Sequence, residues 1–439
     1  MIYKIFFFIF FFGSALFAQI DLQHDIIYPV RIDSVTISGN EITEPDIVLR
    51  ELTFKTGESV TKEDLDYNRD RIYSLGIFTK VELLITREKQ YNKLIIYLDE
   101  SWYIYPIPFA ELKDRDWNKI SYGVDVFIKN FRGRNESLRG RIGLGYDPSF
   151  RLEYYNPRLI VSQDIFFGVN FLYVNANNKS SIAEVLHGNP FEQKFINGSI
   201  SLGKRFDLYN RLALFATFNY VETPFYIKGI NAFNGRIDRI PSLGLQYSYD
   251  TRDLAQFPHD GILGMASAEI KGLGFDNVNY MIYNFDYRQY QKIYGNLGSK
   301  WRTAARITSG EDVPYYDYSF IGYSERIRGH YQDEREGNIY YITSAELNYP
   351  IIRDVNINFD FVPIIPHELL RYRVALYVQA FGDAGATRLS GQKINIKNFS
   401  SGYGAGLTLL ILPYNIARLE VAFDEYNNMQ WIFDLGISF

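Results

Sequence analysis

The residues of this sequence best suited to do chemistry are one arginine and two carboxylates. Arg328 stands in SERIRGHY (324–331), Glu346 in TSAELNYP (343–350) and Asp383 in RVALYVQAFGDAG (373–385). What they offer is ion pairing rather than a reaction. A guanidinium presents a planar fork of donors that fits carboxylates, and breaking a buried pair by removing one partner costs on the order of 3–5 kcal/mol. Nothing else reads as catalytic. The histidines His24, His187, His259, His330 and His367 have no metal-ligand spacing, and the sequence contains neither a G-x-S-x-G elbow nor a Walker loop. No catalytic residue, cofactor or metal is expected.

Whether the three charges can meet depends on the elements that carry them. Glu346 falls in register with Ser344 and Asn348 in an alternating stretch, opposite Ala345, Leu347 and Tyr349. Asp383 falls in register with Arg373 and Gln379 in the next such stretch. Period-two alternation is the mark of a strand with one polar and one apolar face, so both carboxylates occupy polar faces of neighbouring strands. Arg328 sits in the long polar segment that precedes them.

From Trp102 to the end, nearly all of the chain divides into such stretches. In ARLEVAFDE, Arg418, Glu420, Ala422 and Asp424 share one face; in KWRTAARI, Lys300, Arg302 and Arg306 oppose Trp301, Ala305 and Ile307. The segments lie near 103–111, 119–131, 137–147, 150–159, 163–175, 191–206, 211–223, 240–252, 261–272, 277–293, 295–309, 339–350, 372–385, 400–412, 416–426 and 430–439, which makes sixteen strands. Alternation alone does not separate a membrane barrel from a water-soluble sandwich. Composition does more. The 439 residues include 36 Tyr and 34 Phe, with mean hydropathy −0.17 and, beyond the N-terminus, no apolar run long enough for a spanning helix. An even strand number and abundant aromatics fit a transmembrane β-barrel. Even-numbered strands should lead into short periplasmic turns, with a long turn at 351–371 as the exception. A net charge of −5 does not suggest nucleic acid as a partner.

The start, MIYKIFFFIFFFGSALFAQ, has Lys4 before an apolar core and small residues before Ala18, and reads as a cleaved signal peptide, residues 1–18. Export follows, with no cysteine available for a disulfide. After a short segment, 19–29, residues 30–101 have a different texture: a strand in VRIDSVTISGN, a helix over 43–54 capped by Thr43, a helix from Thr61 ending at Gly76, then two short strands. This unit resembles the POTRA domain, on Ile32, Val35, Ile37, Gly39 and Asn40 in its first half and Leu75, Gly76, Phe78 and Val81 in its second. The resemblance implies a periplasmic domain that binds polypeptide by adding it as a strand to a sheet edge.

The remainder, 102–439, resembles the barrel of the BamA-type outer-membrane assembly family, part of the bacterial surface antigen superfamily. There the sixth outer loop folds inward and carries a VRGF/Y signature. Ile327, Arg328, Gly329 and His330 stand in that place with Tyr331 one residue late, so the Arg-Gly core is kept while Ile replaces Val and His the aromatic. The resemblance implies that Glu346 and Asp383 are the barrel-wall partners of the loop arginine. YDTRDLAQFPHDG (249–261) resembles a turn recurrent in the family. Along WIFDLGISF, Trp431, Phe433, Leu435, Ile437 and the terminal Phe439 alternate to the lipid side like a barrel-insertion signal, and Gly436 weakens the closing strand.

The expected fold is thus mainly β: a sixteen-stranded transmembrane barrel in the outer membrane, preceded by one small α+β, POTRA-like periplasmic domain. The expected function is assembly or translocation. Its partners would be unfolded outer-membrane or secreted polypeptides, outer-membrane lipid and other assembly subunits. The alternatives are a dedicated two-partner secretion transporter, for which segment 19–29 is short for a plug helix, and a passive porin. One POTRA unit favours a specialised paralogue over the central insertase.

Overall fold

The structure, a computed structural model, describes residues 26–438 apart from 89–90, 113–116, 179, 227, 276–277, 311–312, 323, 332, 364, 394 and 437. The expected leader, Ile437 and Phe439 lie outside the described residues. The fold is mainly β, a sixteen-stranded transmembrane β-barrel with a small α+β domain ahead of it. Sixteen strands form one antiparallel sheet in chain order, from the first, Ile104–Leu112, to the sixteenth, Met429–Leu435. Each corresponds to one alternating segment of the sequence. Alternation becomes two faces: Ile142, Leu214, Phe285, Leu347 and Phe433 are exposed on the lipid side, while Lys300, Arg302, Glu346, Asp383 and Glu420 are buried on the lumenal side.

One connection departs from expectation. The twelfth strand, Ile339–Asn358, runs well past the position where alternation fades, while the thirteenth, Arg371–Arg388, starts where expected, so the long turn contracts to residues 359–370. The register slips after Pro350 and again after Ile352, which is why the pattern is lost there although pairing continues. Beyond the slips the hairpin reaches the small domain, where Arg371 Nη1 lies 2.8 Å from Asp99 and Arg373 Nη1 lies 3.1 Å from Asp70.

The small domain has a three-stranded sheet in the order Ser34–Ser38, Tyr91–Glu100, Phe78–Glu88, the first pair parallel and the second antiparallel. Two helices, Pro45–Leu49 and Lys62–Tyr73, pack on it. The second helix is closed by a capping box between Thr61 and Asp64. The first is shorter than expected and its N-cap is Glu44, because the Thr43 hydroxyl and amide are both taken by Glu100. Gly39 adopts φ +86° and packs so closely on the Leu98 carbonyl that no side chain fits. Asn40 donates to the Thr43 carbonyl, Gly76 has φ +69° just beyond the second helix, and Phe78 is fully buried.

This domain is docked on the periplasmic turns. Its apolar core continues into Leu254 and Phe257 of the 251–260 turn and into Tyr377, Leu410 and Ile416 of the barrel wall. Around that core lie polar contacts: Asp46 with Arg158, Glu44 with Arg134, Asn130 with Thr43, and Tyr67 with the Thr251 carbonyl. Glu51, itself buried, is held by Arg205 at the end of the sixth strand (Glu192–Arg205) at 2.5 Å and by Arg71 at 2.8 Å. Burial alone would raise the Glu51 carboxyl, but Arg205, Arg71 and Arg50 overcome it and hold it down to about 2.

Candidate functional site

The outer connection 311–338 turns back into the barrel. Ile327 is wholly buried against Ile321 of the same loop and Ile342 of the twelfth strand, which fixes the loop's depth with an apolar contact. Next to it Arg328 enters the polar lumen. Its Nε and Nη2 fork the Asp383 carboxylate at 2.7 and 2.8 Å, and its backbone N–H donates to the same group at 3.0 Å. Nη1 reaches Glu346 at 3.2 Å and Glu420 at 3.1 Å. The guanidinium also lies 3.7 Å from the Phe381 ring centroid, a favourable face for a cation.

Arg328, Glu346 and Asp383, singled out from the sequence, therefore lie together, and Glu420 of the fifteenth strand, Asn415–Asp424, joins them. Two wall cations complete the balance: Lys300 lies 3.4 Å from Glu346, and Arg418 bridges Glu420 at 3.1 Å and Asp434 at 2.8 Å. A second fastening precedes the motif, where Glu325 is gripped by both outer nitrogens of Arg302 at 2.8 Å. Alternation places Glu346 and Asp383 on inward faces and Lys300, Arg302, Arg418 and Glu420 on polar strand faces, whereas Arg328 and Glu325 belong to the loop. The family resemblance points to Glu346 and Asp383, but no signal in the sequence shows that the loop also reaches Glu420 and Arg302.

The rest of the motif fixes direction. Gly329 has φ +97°, and a Cβ there would fall 2.6 Å from the Phe423 carbonyl oxygen. His330 bridges Asp333 at 2.7 Å and Glu425 at 2.5 Å. Its burial favours the neutral ring, but the two carboxylates outweigh that and raise its pKa. Tyr331 accepts the position next to the sixteenth strand, its N–H on Gln430 and its hydroxyl on Asp434, both at 3.2 Å. Trp431, Phe433 and Leu435 point to the lipid side, Gly436 turns at φ +110°, and Ser438 lines a lumenal cavity of about 360 Å³ together with Arg328. The arrangement is an ion-pair lock. Among the described residues no cluster of His, Asp and Glu is placed to hold a metal ion.

A sixteen-strand barrel with a loop locked in its lumen and a small domain beneath its mouth defines a class of outer-membrane protein. A model described as the Omp85 superfamily domain matches residues 130–439, and a POTRA model, described as a surface antigen variable number repeat, matches residues 30–101. The chain belongs to the Omp85 superfamily, and with it to the outer-membrane proteins of protein transport and membrane assembly. Among solved structures it is similar to BamA from Haemophilus ducreyi lacking POTRA domains 1–3, at 16% identity over 93% of this chain and 84% of that one, TM-score 0.54. It is equally similar in fold to CdiB from Escherichia coli, at 10% identity over 93% and 76%, TM-score 0.54.

Proposed function

We propose that this protein assembles polypeptides into the outer membrane or moves them across it, collecting them with its POTRA domain in the periplasm and passing them to the seam between the first and sixteenth strands. The observation that carries this reading is the obstructed lumen. Arg328 fastened to three wall strands from within, and a small domain docked under the periplasmic mouth, suit a barrel that works at its wall rather than through its bore. A passive porin needs neither. The sheet edge Ser34–Ser38 offers the backbone groups of a peptide-binding edge, since the opposite edge strand, Phe78–Glu88, lies beside the barrel hairpin.

No covalent step is involved. Binding rests on main-chain hydrogen bonds, and the lock keeps the wall intact while the seam is disturbed. The test is photocrosslinking in cells from Thr36, exposed on that edge. Trapped outer-membrane barrel polypeptides, lost when the protein is depleted, are the expected result. Exclusive trapping of one secreted partner would instead identify a dedicated secretion transporter, and a large steady ion conductance from the intact protein would identify a porin.

A further inference from the structure

Where the small domain meets the barrel, the charges do not balance. A cavity of about 190 Å³ lies between them, and its charged lining is Arg50 and Glu51 of the small domain with Arg205 and Arg211 of the barrel. Three guanidiniums thus face one carboxylate, and Glu51 is already committed. It takes Arg205 Nη1 at 2.5 Å, Arg205 Nη2 at 3.0 Å and Arg71 at 2.8 Å. Arg50 is left at longer range, its Nε 3.6 Å from Glu51 and its Nη1 3.9 Å from Asp164. The Arg50 side chain is only 14% exposed, yet among the described residues it makes no hydrogen bond. A guanidinium carries five N–H donors, and buried donors without acceptors cost free energy. Burial, and then the neighbouring Arg205, lower the Arg50 pKa, the direction expected of a buried cation beside another cation.

Arg211 is the second cation without an anion. It stands at the start of the seventh strand, Asn210–Glu222, directly opposite Arg205, and like charges so placed work against the sheet. Glu51 compensates Arg205, whereas Arg211 has neither an ion pair nor a hydrogen bond of its side chain among the described residues. Asp250, which feels its charge, is already forked by Arg252 at 2.8 Å. Two neutral donors face the same cavity, the Tyr155 hydroxyl and the Asn135 side chain, neither of them hydrogen-bonded among the described residues. Tyr155, Phe166 and Arg211 also line an adjoining lumenal cavity of about 370 Å³, whose other walls include Ser199, Ser201, Thr217, Gln246 and Ser248. Hydroxyls and an amide beside aromatic rings suit a hydroxylated ring better than a hydrocarbon.

We propose that the joint between the small domain and the barrel is a phosphate-binding site, in which a phosphate group is held by Arg50 from one side and Arg211 from the other. Guanidinium forks match phosphate oxygens, and a dianion neutralises the two positive charges that three guanidiniums and one carboxylate leave over. The phosphate is either the free ion or that of a sugar phosphate whose hydroxylated ring occupies the adjoining cavity. Because the two arginines belong to different domains, binding also ties the domains together, and its free energy adds to their docking. The site does not depend on the reading of polypeptide delivery above.

The experiment uses the full-length protein in detergent micelles at pH 7 in phosphate-free buffer, titrated in a calorimeter with inorganic phosphate and separately with glucosyl phosphate. Saturable binding at one site per chain is expected, and backbone amide exchange over residues 47–51 should slow when the site is filled. Arg211→Gln removes a side chain that holds nothing in the protein, so the barrel should fold as before while affinity drops roughly tenfold or more, the loss of one charge-assisted contact. Arg50→Gln should do the same. Arg151→Gln, on the fourth strand, Ser149–Ile160, and outside both cavities, should bind like the wild type. Glucosyl phosphate bound no more tightly than the free ion would identify the ion as the occupant; tighter binding, with the advantage lost in Gln246→Ala, would identify the sugar phosphate. No saturable binding of either ligand, binding indifferent to Arg211→Gln, or binding weakened as much by Arg151→Gln would overturn the site and leave its guanidiniums to water.

Discussion

The backbone oxygen of Arg328 lies where residue 402 has no room for a side chain: a Cβ on Gly402 would come within 1.7 Å of it. The fourteenth strand, Ser400–Leu412, therefore forms the floor on which the loop rests, and the glycine is a matter of close approach rather than of an unusual backbone angle. Gly402→Ala should displace the loop, with an overpacking cost of about 1–3 kcal/mol. Trypsin cleavage within 324–335 of the folded barrel should rise. Gly198→Ala, at a position with nothing within 4 Å, should leave cleavage unchanged. Equal resistance in both variants would mean that the loop is held without this contact.

Arg328 supplies one cation to three buried carboxylates, so its removal should be costly and its effects should not add. Arg328→Ala should lower the stability of the folded barrel, read by heat-modifiable gel mobility, by on the order of 3–5 kcal/mol. Arg328→Lys should recover only part of this, since an ammonium cannot fork Asp383 while reaching Glu346 and Glu420. The informative combination is Glu346→Gln with Asp383→Asn. Alone it leaves the guanidinium only Glu420 at 3.1 Å as a charged partner; added to Arg328→Ala it should do little more, as expected of residues in one network. Strictly additive losses would show that the pairs act independently.

Much of this site could be read from alternation, and the reasons for the rest are physical. Glu346 and Asp383 were legible because period two places a side chain on a face without reference to any other strand. The same logic put Lys300, Arg418 and Glu420 in the lumen, yet which of them meets Arg328 depends on how deeply the loop descends, and Ile327 against Ile342 sets that through a long-range contact. The strand count was legible because each segment alternates. The extension of the twelfth strand to Asn358 was not, because slips after Pro350 and Ile352 erase the pattern while the ladder continues. Thr43 has the composition of a cap, but Glu100, distant in sequence, claims its side chain.

His330 links the loop to the outer turn after the fifteenth strand through Glu425, while Asp333 of its own loop holds the other ring nitrogen. Its pKa is raised in the folded protein, so the contact is complete below the ordinary histidine value of 6.5 and is lost as pH rises through the raised one. Protease resistance of the loop should accordingly decline on the alkaline side of pH 6.5. His330→Gln should keep a weaker, pH-independent contact. A wild-type loop whose resistance is flat from pH 6 to 9 would remove His330 from the account.

Glu51 offers the reciprocal case at the periplasmic end. Its carboxyl is held near 2, against an ordinary 4.5, by Arg205 of the barrel together with Arg71 and Arg50 of its own domain. A depressed carboxylate contributes stability above the ordinary value and loses it as pH falls towards the folded one, here on the order of 3 kcal/mol over the window from 4.5 down to 2. Docking of the POTRA domain should weaken across that window. The chain has no cysteine, so spin labels can be placed cleanly at Lys62→Cys in the second POTRA helix and Lys292→Cys at the end of the tenth strand, Tyr280–Tyr294. At pH 7 their distance distribution should be narrow, and it should broaden as the solution is acidified below 4.5. Glu51→Gln leaves the arginines without their anion at every pH, so it should show the broad distribution already at pH 7 and change little on acidification. Arg205→Gln should resemble it, since the pair is broken from the other side. A distribution that stays narrow in wild type at pH 2.5 and in Glu51→Gln at pH 7 would show that the apolar contact through Leu254 and Phe257 holds the domain by itself.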